Sequence, residues 1–357
     1  MKKLASIQKI TKIEPIKKEE IYEIAHVGSL GWPIIVKKNE YKAGDIVVFF
    51  HLDAFLPIEP RYESLRSTSY RKNSVMGEGF KIRTMKIGGY LNQGYIMHLS
   101  EFPELSQQDI FLDTDVTCFL QVKEWKLPKM SQPEGTILGN LPVSIPSTKE
   151  VNYQDYPQLQ QEFKGKLLNY YITTMVDGSP HSISIDKHGF HVTNDVHELK
   201  NDGTNLFYNL VNKRNYRVLM EDYFMQNGLT SFTIQGELCG PDIHRNRMKL
   251  TKHEWYVFNI LLDGKRVGVS RLIEICDLFG MTHVKVEEEN RDMPFRYPKL
   301  ESLLKRCMGN YSGGNKKQGV IVRPAEPIYS PTLGNYLSMK VVNNQYLLQE
   351  EYIHDEI

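Results

Sequence analysis

Five short stretches of the chain hold the residues whose types and spacing could do chemistry. The first, ITTMVDGSPHSI (residues 172–183), is an apolar, β-prone run that ends at Met175 and continues into Val-Asp-Gly. An Asp-Gly pair alone most often makes an ordinary turn after a strand, and a lone polar residue in a strand pattern most often faces solvent. The other stretches are, in order, IQGELCG with Glu237, WYVFN with Phe258, QGVIVR with Gln318, and YLSMKVV with Lys340. Their order along the chain makes them informative together.

In this order the stretches resemble the motif series of the covalent nucleotidyltransferases, which include polynucleotide ligases and capping enzymes. That series begins with Lys-x-Asp-Gly and continues with Gly-Glu, an aromatic strand, Glu-Gly-x-Val-x-Arg and a Lys-bearing strand. The stretch GELCGPDIHRNRMKL is similar to the signature of RNA ligases rather than DNA ligases. The pieces ASIQKITKIEPI, GWPIIVKKNEYKAGDIVVFFHLDAFLP and KIRTMKIGGYLNQGYIMHL resemble an N-terminal OB module. The whole chain therefore resembles the ATP-dependent RNA ligases of the Deinococcus and Naegleria type.

The resemblance implies that RNA 5′-phosphate and 3′-OH ends are joined at nicks through lysyl-AMP and RNA-adenylate intermediates. In such a reaction Phe258 would stack on adenine, and the Thr174 carbonyl would read the adenine amino group. Lys340 would reach the α-phosphate, and Asp177, Glu237 and Gln318 would serve Mg²⁺ or Mn²⁺, which prefer hard oxygen ligands. The full set of implied ATP-site residues is Thr174, Met175, Asp177, Gly178, Ser179, Glu237, Phe258, Val320, Arg323, Ser338 and Lys340. For Phe258 a core position, and for Arg323 a role in bracing its strand, stay open.

The main departure from the family pattern is Met175, which stands at the position of the nucleophilic lysine. A thioether has no proton to lose and little nucleophilicity toward phosphorus, yet its unbranched side chain fills a similar space. Three hypotheses follow: an engineered Lys-to-Met change that holds ATP unreacted, a natural pseudoenzyme, or a buried Met in a protein that only resembles the family. We favour the first because the other motifs are largely present. The alternative is a non-catalytic protein that binds ATP or RNA ends.

Three further departures weaken the match to an active ligase. The fourth motif begins with Gln318 instead of Glu, so it brings no charge to a metal ion. The segment HVTNDVHELK supplies Asn194 without the arginine that relatives carry there, and Ser338 stands where relatives often have a second basic residue. A capping guanylyltransferase is disfavoured because its OB domain usually follows the catalytic domain. A DNA ligase is disfavoured by the GELCGP stretch and by the N-terminal module.

The elements that must position these residues form two domains of an α+β protein. Short apolar runs bounded by Gly and Pro over residues 1–130 predict a small β-barrel or sandwich. The resemblance implies that this domain is an OB-type β-barrel. Frequent Pro and Gly over 131–157 predict a linker. Residues 158–357 mix strands with helices, including one from Tyr216 to near Gly228, and predict an α+β domain built on antiparallel sheets. The resemblance implies that this is a nucleotidyltransferase (ATP-grasp-like ligase) domain.

The predicted OB domain suits a nucleic-acid partner, because OB folds bind strands through basic grooves and aromatic side chains. The resemblance implies a nicked duplex with RNA on the 3′-OH side as the partner, together with ATP. Surface charges of no special role are the competing interpretation for each basic residue. The candidates for contact with the phosphate backbone are Lys37, Lys38, Lys42, Arg83 and Lys86.

The bulk composition limits the remaining possibilities. A net charge of +1 excludes a globally basic surface, so any nucleic-acid surface must be local. The four cysteines lack CxxC pairing, which disfavours a zinc ribbon or a disulfide framework and indicates a reducing compartment. The basic start of the chain has no apolar signal-peptide core, and no run of 18 apolar residues exists. We therefore expect an intracellular monomer with no membrane partner.

Overall fold

The computed structural model describes residues 3–107, 111–126, 136–163 and 168–354. The chain divides into two compact units. The first consists of Met1–Lys129, Gln154–Gln158 and Leu347–Ile357, and the second of Met130–Tyr153 and Leu159–Tyr346. Among the described residues, no helix has the length and apolar character needed to cross a membrane.

The first unit is an OB fold made of short strands. Its five-stranded sheet has the order β10-β4-β1-β2-β3, a four-stranded sheet has the order β11-β5-β7-β6, and β8 and β9 form a hairpin. The elements are β1 (Ala5–Pro15), β2 (Tyr22–Val27), β3 (Ile34–Lys37), β4 (Ile46–Phe50), β5 (Ala54–Leu56), α1 (Arg66–Ser69), β6 (Tyr70–Asn73), β7 (Gly77–Lys81), β8 (Thr84–Ile87), β9 (Tyr90–Gln93), β10 (Tyr95–His98), β11 (Lys123–Glu124) and three 3₁₀ helices at Pro60–Leu65, Leu99–Glu101 and Pro103–Gln107.

The strand β1 bends the first sheet into a half-barrel. Its first half, Ala5 to Lys9, pairs with β4, and its second half, Ile10 to Pro15, pairs with β2. Strand β4 is buried on both faces, because Val48 and Phe50 enter one apolar core while Val47 and Phe49 enter another. A near-continuous apolar run such as IVVFF is typical of a strand with two buried faces.

The second unit contains two sheets and most of the helices. Its strands are β12 (Ile137–Asn140), β13 (Val151–Asn152), β14 (Asn169–Thr174), β15 (Ser179–Asp186), β16 (Gly189–Asn194), β17 (His197–Leu199), β18 (Ser231–Cys239), β19 (Glu254–Leu262), β20 (Lys265–Arg266), β21 (Thr282–His283), β22 (Val286–Arg291), β23 (Gly319–Pro324), β24 (Tyr329–Ser330), β25 (Asn335–Tyr336) and β26 (Met339–Val342). Its helices are α2 (Leu159–Glu162), α3 (Leu206–Lys213), α4 (Tyr216–Gln226), α5 (Val269–Phe279), α6 (Met293–Arg296), α7 (Leu300–Arg306) and the start of α8 (Asn344–His354), whose residues from Leu347 onward belong to the first unit.

The predicted motifs are divided between the two sheets of the second unit. The larger sheet has the order β12-β17-β16-β15-β18-β19-β20, with β21 beside β19, and the smaller has the order β13-β26-β23-β14-β22. Helices α3, α4 and α5 cover one face of the larger sheet, where Trp255 and Val257 of β19 enter the core. The predicted helix α4 is confirmed, with Tyr216, Met220 and Tyr223 buried. Alternation along β19 leaves Tyr256 and Phe258 on the opposite face.

The predicted linker over 131–157 is wrong for most of its described part. Strand β12 pairs antiparallel with β17, and β13 pairs parallel with β26, so both belong to the sheets of the second unit. The Gly and Pro residues had indicated irregular chain, but tertiary strand pairing overrides that local preference. Residues 131–135 lie outside the described part of the chain.

Candidate active site

The segment around Met175 joins β14 of the smaller sheet to β15 of the larger sheet. The Met175 N–H donates to the Gly319 carbonyl at 3.1 Å, and the Tyr311 hydroxyl donates to the Met175 carbonyl at 2.7 Å. Tyr311 also accepts from the Gln318 N–H at 3.1 Å. The backbone at position 175 is therefore held on both sides by the segment that leads into β23.

Asp177 is buried beside this segment and is neutralised by protein groups. Both of its carboxylate oxygens lie 2.8 Å from Nη1 of Arg247. The Gln318 side-chain amide donates to Asp177 Oδ1 at 2.9 Å. The exposed fractions of the Asp177 and Arg247 side chains are 2% and 11%, so the pair is shielded from water. The motif search on sequence missed Arg247, which directly follows Asn246 at the end of the RNA-ligase signature.

Glu237 faces the same segment from β18. The Gly178 N–H donates to Glu237 Oε2 at 2.9 Å. Burial raises the pKa of Glu237 to about 8, the Gly178 N–H opposes this, and the nearby Asp177 charge adds to it. The structure thus brings together four of the predicted site positions, 175, 177, 237 and 318.

Replacing Glu237 by Gln is expected to change the pH dependence of stability. The pKa is 4.5 in the unfolded chain and about 8 in the folded one, so both states hold the proton below pH 4.5. Between pH 4.5 and 8 only the unfolded state loses it, and stability falls as pH rises. Glu237→Gln should remove this fall, on the order of 3 kcal/mol between about pH 5 and pH 8. Urea unfolding at these two pH values measures the free energy of unfolding. The prediction is contradicted if that free energy changes between the two pH values by the same amount in the Glu237→Gln variant and in the unmodified chain.

Gly178 permits the close approach of this segment to β18. A Cβ there would lie 2.6 Å from Cys239 Sγ, 2.7 Å from the Leu238 carbonyl oxygen and 2.9 Å from Glu237 Cβ. Gly178→Ala is therefore expected to lower the free energy of unfolding by about 1–3 kcal/mol, because the backbone must shift. Gly139→Ala is the matched control, since a Cβ at Gly139 meets open space. Chemical denaturation of both variants measures the free energy of unfolding, and an equal loss in the two variants would refute the steric argument.

A cavity of about 430 Å³ is lined by the two residues that flank Met175, Thr174 and Val176. Glu287 lies at its wall and binds Lys317 Nζ at 2.6 and 2.8 Å, Arg306 Nη1 at 2.8 Å and the Thr174 hydroxyl at 2.7 Å. The lining carries three cations and one carboxylate, which favours an anionic ligand of nucleotide size. The lining residues are Thr174, Val176, Met248, Tyr256, Lys285, Glu287, Arg306, Asn310, Tyr311, Ser312 and Lys317.

The aromatic residue of the third motif is placed differently from the sequence expectation. Tyr256 lines the large cavity, whereas Phe258 lines a separate cavity of about 10 Å³, the space of roughly one water. Both side chains pack around Val176, Cys239 and Val284. The sequence pattern could have indicated Tyr256, because residues two apart on a strand share a face.

Val320, predicted to contact the nucleotide, is fully buried in the core on the far face of the smaller sheet. The neighbouring Ile321 pairs with Thr173 on one side and Lys340 on the other, so these three share the opposite face. Val320 therefore does not share the face of Lys340, because alternation along β23 gives only every second residue to one face. Lys340 is half-buried, and its carbonyl accepts from the Tyr153 N–H. Ser179 begins β15, opposite Leu238.

Arg323 and Ser338, predicted at the ATP site, form a buried brace between the two sheets. Arg323 donates from Nε to Ser338 Oγ at 2.8 Å, from Nη1 to the Phe258 carbonyl at 2.9 Å and from Nη2 to Glu150 Oε1. Asn259 accepts a further bond at 3.1 Å. The guanidinium donates its hydrogen bonds to protein acceptors, which supports the alternative that Arg323 braces its strand.

The basic residues predicted to bind RNA occupy separate parts of the OB fold. Lys37 is exposed at the end of β3, Lys38 and Lys42 are exposed between β3 and β4, and Lys86 is exposed on β8. Arg83 is half-buried, and its Nη2 donates to the Thr68 carbonyl at 2.9 Å. Among these candidates, Lys37, Lys38 and Lys42 lie closest together along the chain.

Comparison with known proteins matches both units. Residues 4–99 match a family model described as an OB-fold domain, and residues 168–342 match one described as RNA ligase. The chain is similar to the Naegleria gruberi RNA ligase with PPi over 100% of both chains, with 25% identity and a TM-score of 0.82. Mutants of that ligase with ATP and Mn, and with AMP and Mn, each match at 25% identity and a TM-score of 0.81, covering 97% of this chain and 98% of theirs. A search of curated proteins finds no match.

Proposed function

Since the chain belongs to the RNA ligase family and carries an OB-fold domain ahead of its ligase domain, we propose that it acts on RNA ends with ATP and that Met175 prevents its own adenylylation. The substrate would be a nick with a 5′-phosphate and an RNA 3′-OH. The observation that supports this most is the position of Met175, held by Gly319 and Tyr311 between the cation-lined cavity and Asp177. A thioether there offers no amine to attack the α-phosphorus of ATP.

The later chemistry of such a ligase does not need the lysine. In the last step the RNA 3′-oxygen forms a bond to the adenylylated 5′-phosphorus, the bond to AMP breaks, and the hydroxyl proton passes to solvent. The protein has to bind and orient the two ends and stabilise the charge that develops. Lys340 and the cations of the cavity, Lys285, Arg306 and Lys317, are the groups we assign to that work.

The test is sealing of a nick whose 5′ end is already adenylylated. We expect joined product from pre-adenylylated RNA and none from 5′-phosphate RNA with ATP, a difference of at least about 100-fold, since only the second reaction needs the nucleophile. Denaturing gel electrophoresis of a labelled strand measures it. Lys340→Ala is expected to reduce sealing of the pre-adenylylated end, and equal rates for the two substrates would refute the role given to Met175.

A binding protein without catalysis is the second candidate function, favoured by one observation. Gln318 donates to Asp177, and Ser338 is bound to Arg323, so two departures from the family pattern have protein partners of their own. A single engineered change at Met175 would not also change the residues at positions 318 and 338, so these two departures support a natural pseudoenzyme. Binding of pre-adenylylated RNA with no sealing would decide for this candidate.

A further inference from the structure

Two of the three side chains expected to serve a divalent cation, Asp177 and Gln318, do not fit one. Such a cation needs several oxygen ligands directed at one point. Both oxygens of Asp177 already accept from Arg247. In the part of the chain that the structure describes, no group of three or more His, Cys, Asp and Glu side chains is arranged to hold a metal ion.

Gln318 presents the wrong atom for a metal. A carboxylate can only accept hydrogen bonds, so the amide nitrogen of Gln318 must be the group that faces Asp177 at 2.9 Å. A glutamate at this position would place a second carboxyl beside Asp177, and such a pair needs either a cation between the two groups or a proton on one of them. The glutamine removes that need, because the amide and the carboxylate attract each other directly.

Arg247 is fixed where it can supply the positive charge. Its backbone N–H lies 3.4 Å from Asp177 Oδ2, and its guanidinium lies over the Tyr346 ring at 5.2 Å. Asn315 donates to the Arg247 carbonyl at 2.8 Å. Backbone and side chain are thus both held, so the guanidinium is oriented before any ligand binds. Its charge is permanent, because an arginine keeps its proton in proteins.

We infer that Arg247 and Gln318 take the place of the divalent cation at Asp177, so that this chain binds nucleotide without a metal ion at that carboxylate. The inference about ATP rests on the proposed function, whereas the inference about the metal does not. One positive charge from Arg247 balances Asp177, and the phosphates of a nucleotide would be met by the cations of the cavity. A relative that binds Mn with ATP would differ at this point.

Mn²⁺ binding in the absence of nucleotide tests the metal part, measured by electron paramagnetic resonance. We expect that Asp177→Asn causes no loss of Mn²⁺ binding, because the unmodified chain binds no Mn²⁺ at Asp177. The double variant Arg247→Gln, Gln318→Glu should gain one Mn²⁺, and adding Asp177→Asn to it should abolish that site. Arg217→Gln with Gln226→Glu makes the same changes of residue type at two exposed positions of α4 and should gain none. An Asp177-dependent Mn²⁺ in the unmodified chain, or none in the double variant, would overturn the inference.

ATP binding by calorimetry in EDTA and in Mn²⁺ tests the nucleotide part. We expect dissociation constants that agree within about threefold for the chain, and at least tenfold tighter binding in Mn²⁺ for the Arg247→Gln, Gln318→Glu variant, which is about 1.4 kcal/mol. A tenfold loss in EDTA for the unmodified chain would overturn the inference. If ATP binds under neither condition, the proposed function fails, while the Mn²⁺ experiment still decides the metal question.

Discussion

Met175→Lys is expected to form a covalent adduct with AMP that survives denaturation, whereas the chain as it stands forms none. Lysine is close to methionine in length and also unbranched at Cβ, so it should enter the same space without moving Gly319 or Tyr311. A free lysine has a pKa of about 10.4 and is almost fully protonated at pH 7. The nearby cations of the cavity, Lys285, Arg306 and Lys317, would lower that pKa and release the amine.

The measurement is transfer of label from α-labelled ATP with Mn²⁺ to protein on a denaturing gel. We expect at least about a 100-fold gain over the unmodified chain, or roughly 2.7 kcal/mol in the barrier. Met175→Arg is the matched control, since it adds the same charge but keeps its proton and cannot attack. If the Met175→Lys and Met175→Arg variants both bind ATP and neither takes label, then Gln318, Arg247 and Ser338 block the reaction without help from the methionine.

Arg323→Met is expected to destabilise the protein by about 3–5 kcal/mol, because it leaves a carboxylate buried without its partner. Arg323 is 4% exposed, and it bonds to Glu150, Ser338 and the Phe258 carbonyl. Burial alone would raise the pKa of Glu150, but the charges of Arg323 and Arg266 lower it overall. The methionine fills most of the volume, so the loss is one of charge and hydrogen bonds. Urea unfolding at 25 °C measures the change.

Arg217→Met is the control for this loss, because Arg217 and Glu221 form an exposed pair one helical turn apart on α4. It should change stability by less than about 0.5 kcal/mol. Changing both Arg323 and Glu150 to Met should cost less than the sum of the two single changes, since no unpaired charge then stays buried. A stable Arg323→Met variant with weakened ATP binding would instead support the prediction that Arg323 contacts the phosphates of ATP.

The family and the order of the OB-fold and ligase domains could be predicted from the amino-acid sequence. The order of the motif residues depends only on which residues follow which along the chain. Helix α4 could be predicted for a similar reason, because its apolar side chains repeat at the helical period. These properties depend on neighbouring residues or on order along the chain, so they can be recognised without knowing which side chains meet in the folded protein.

Which side chains meet could be learned only from the folded chain. Strand pairing shows Ile321 rather than Val320 on the face of Lys340, since the phase of the alternation is set by the core and not by the motif. Arg247 reaches Asp177 across 70 residues, and Arg323 reaches Glu150 across 173. Nothing in their immediate sequence marks either pair. A buried charge takes whichever opposite charge the fold brings to it, because leaving it unpaired in the interior costs more than any local preference provides.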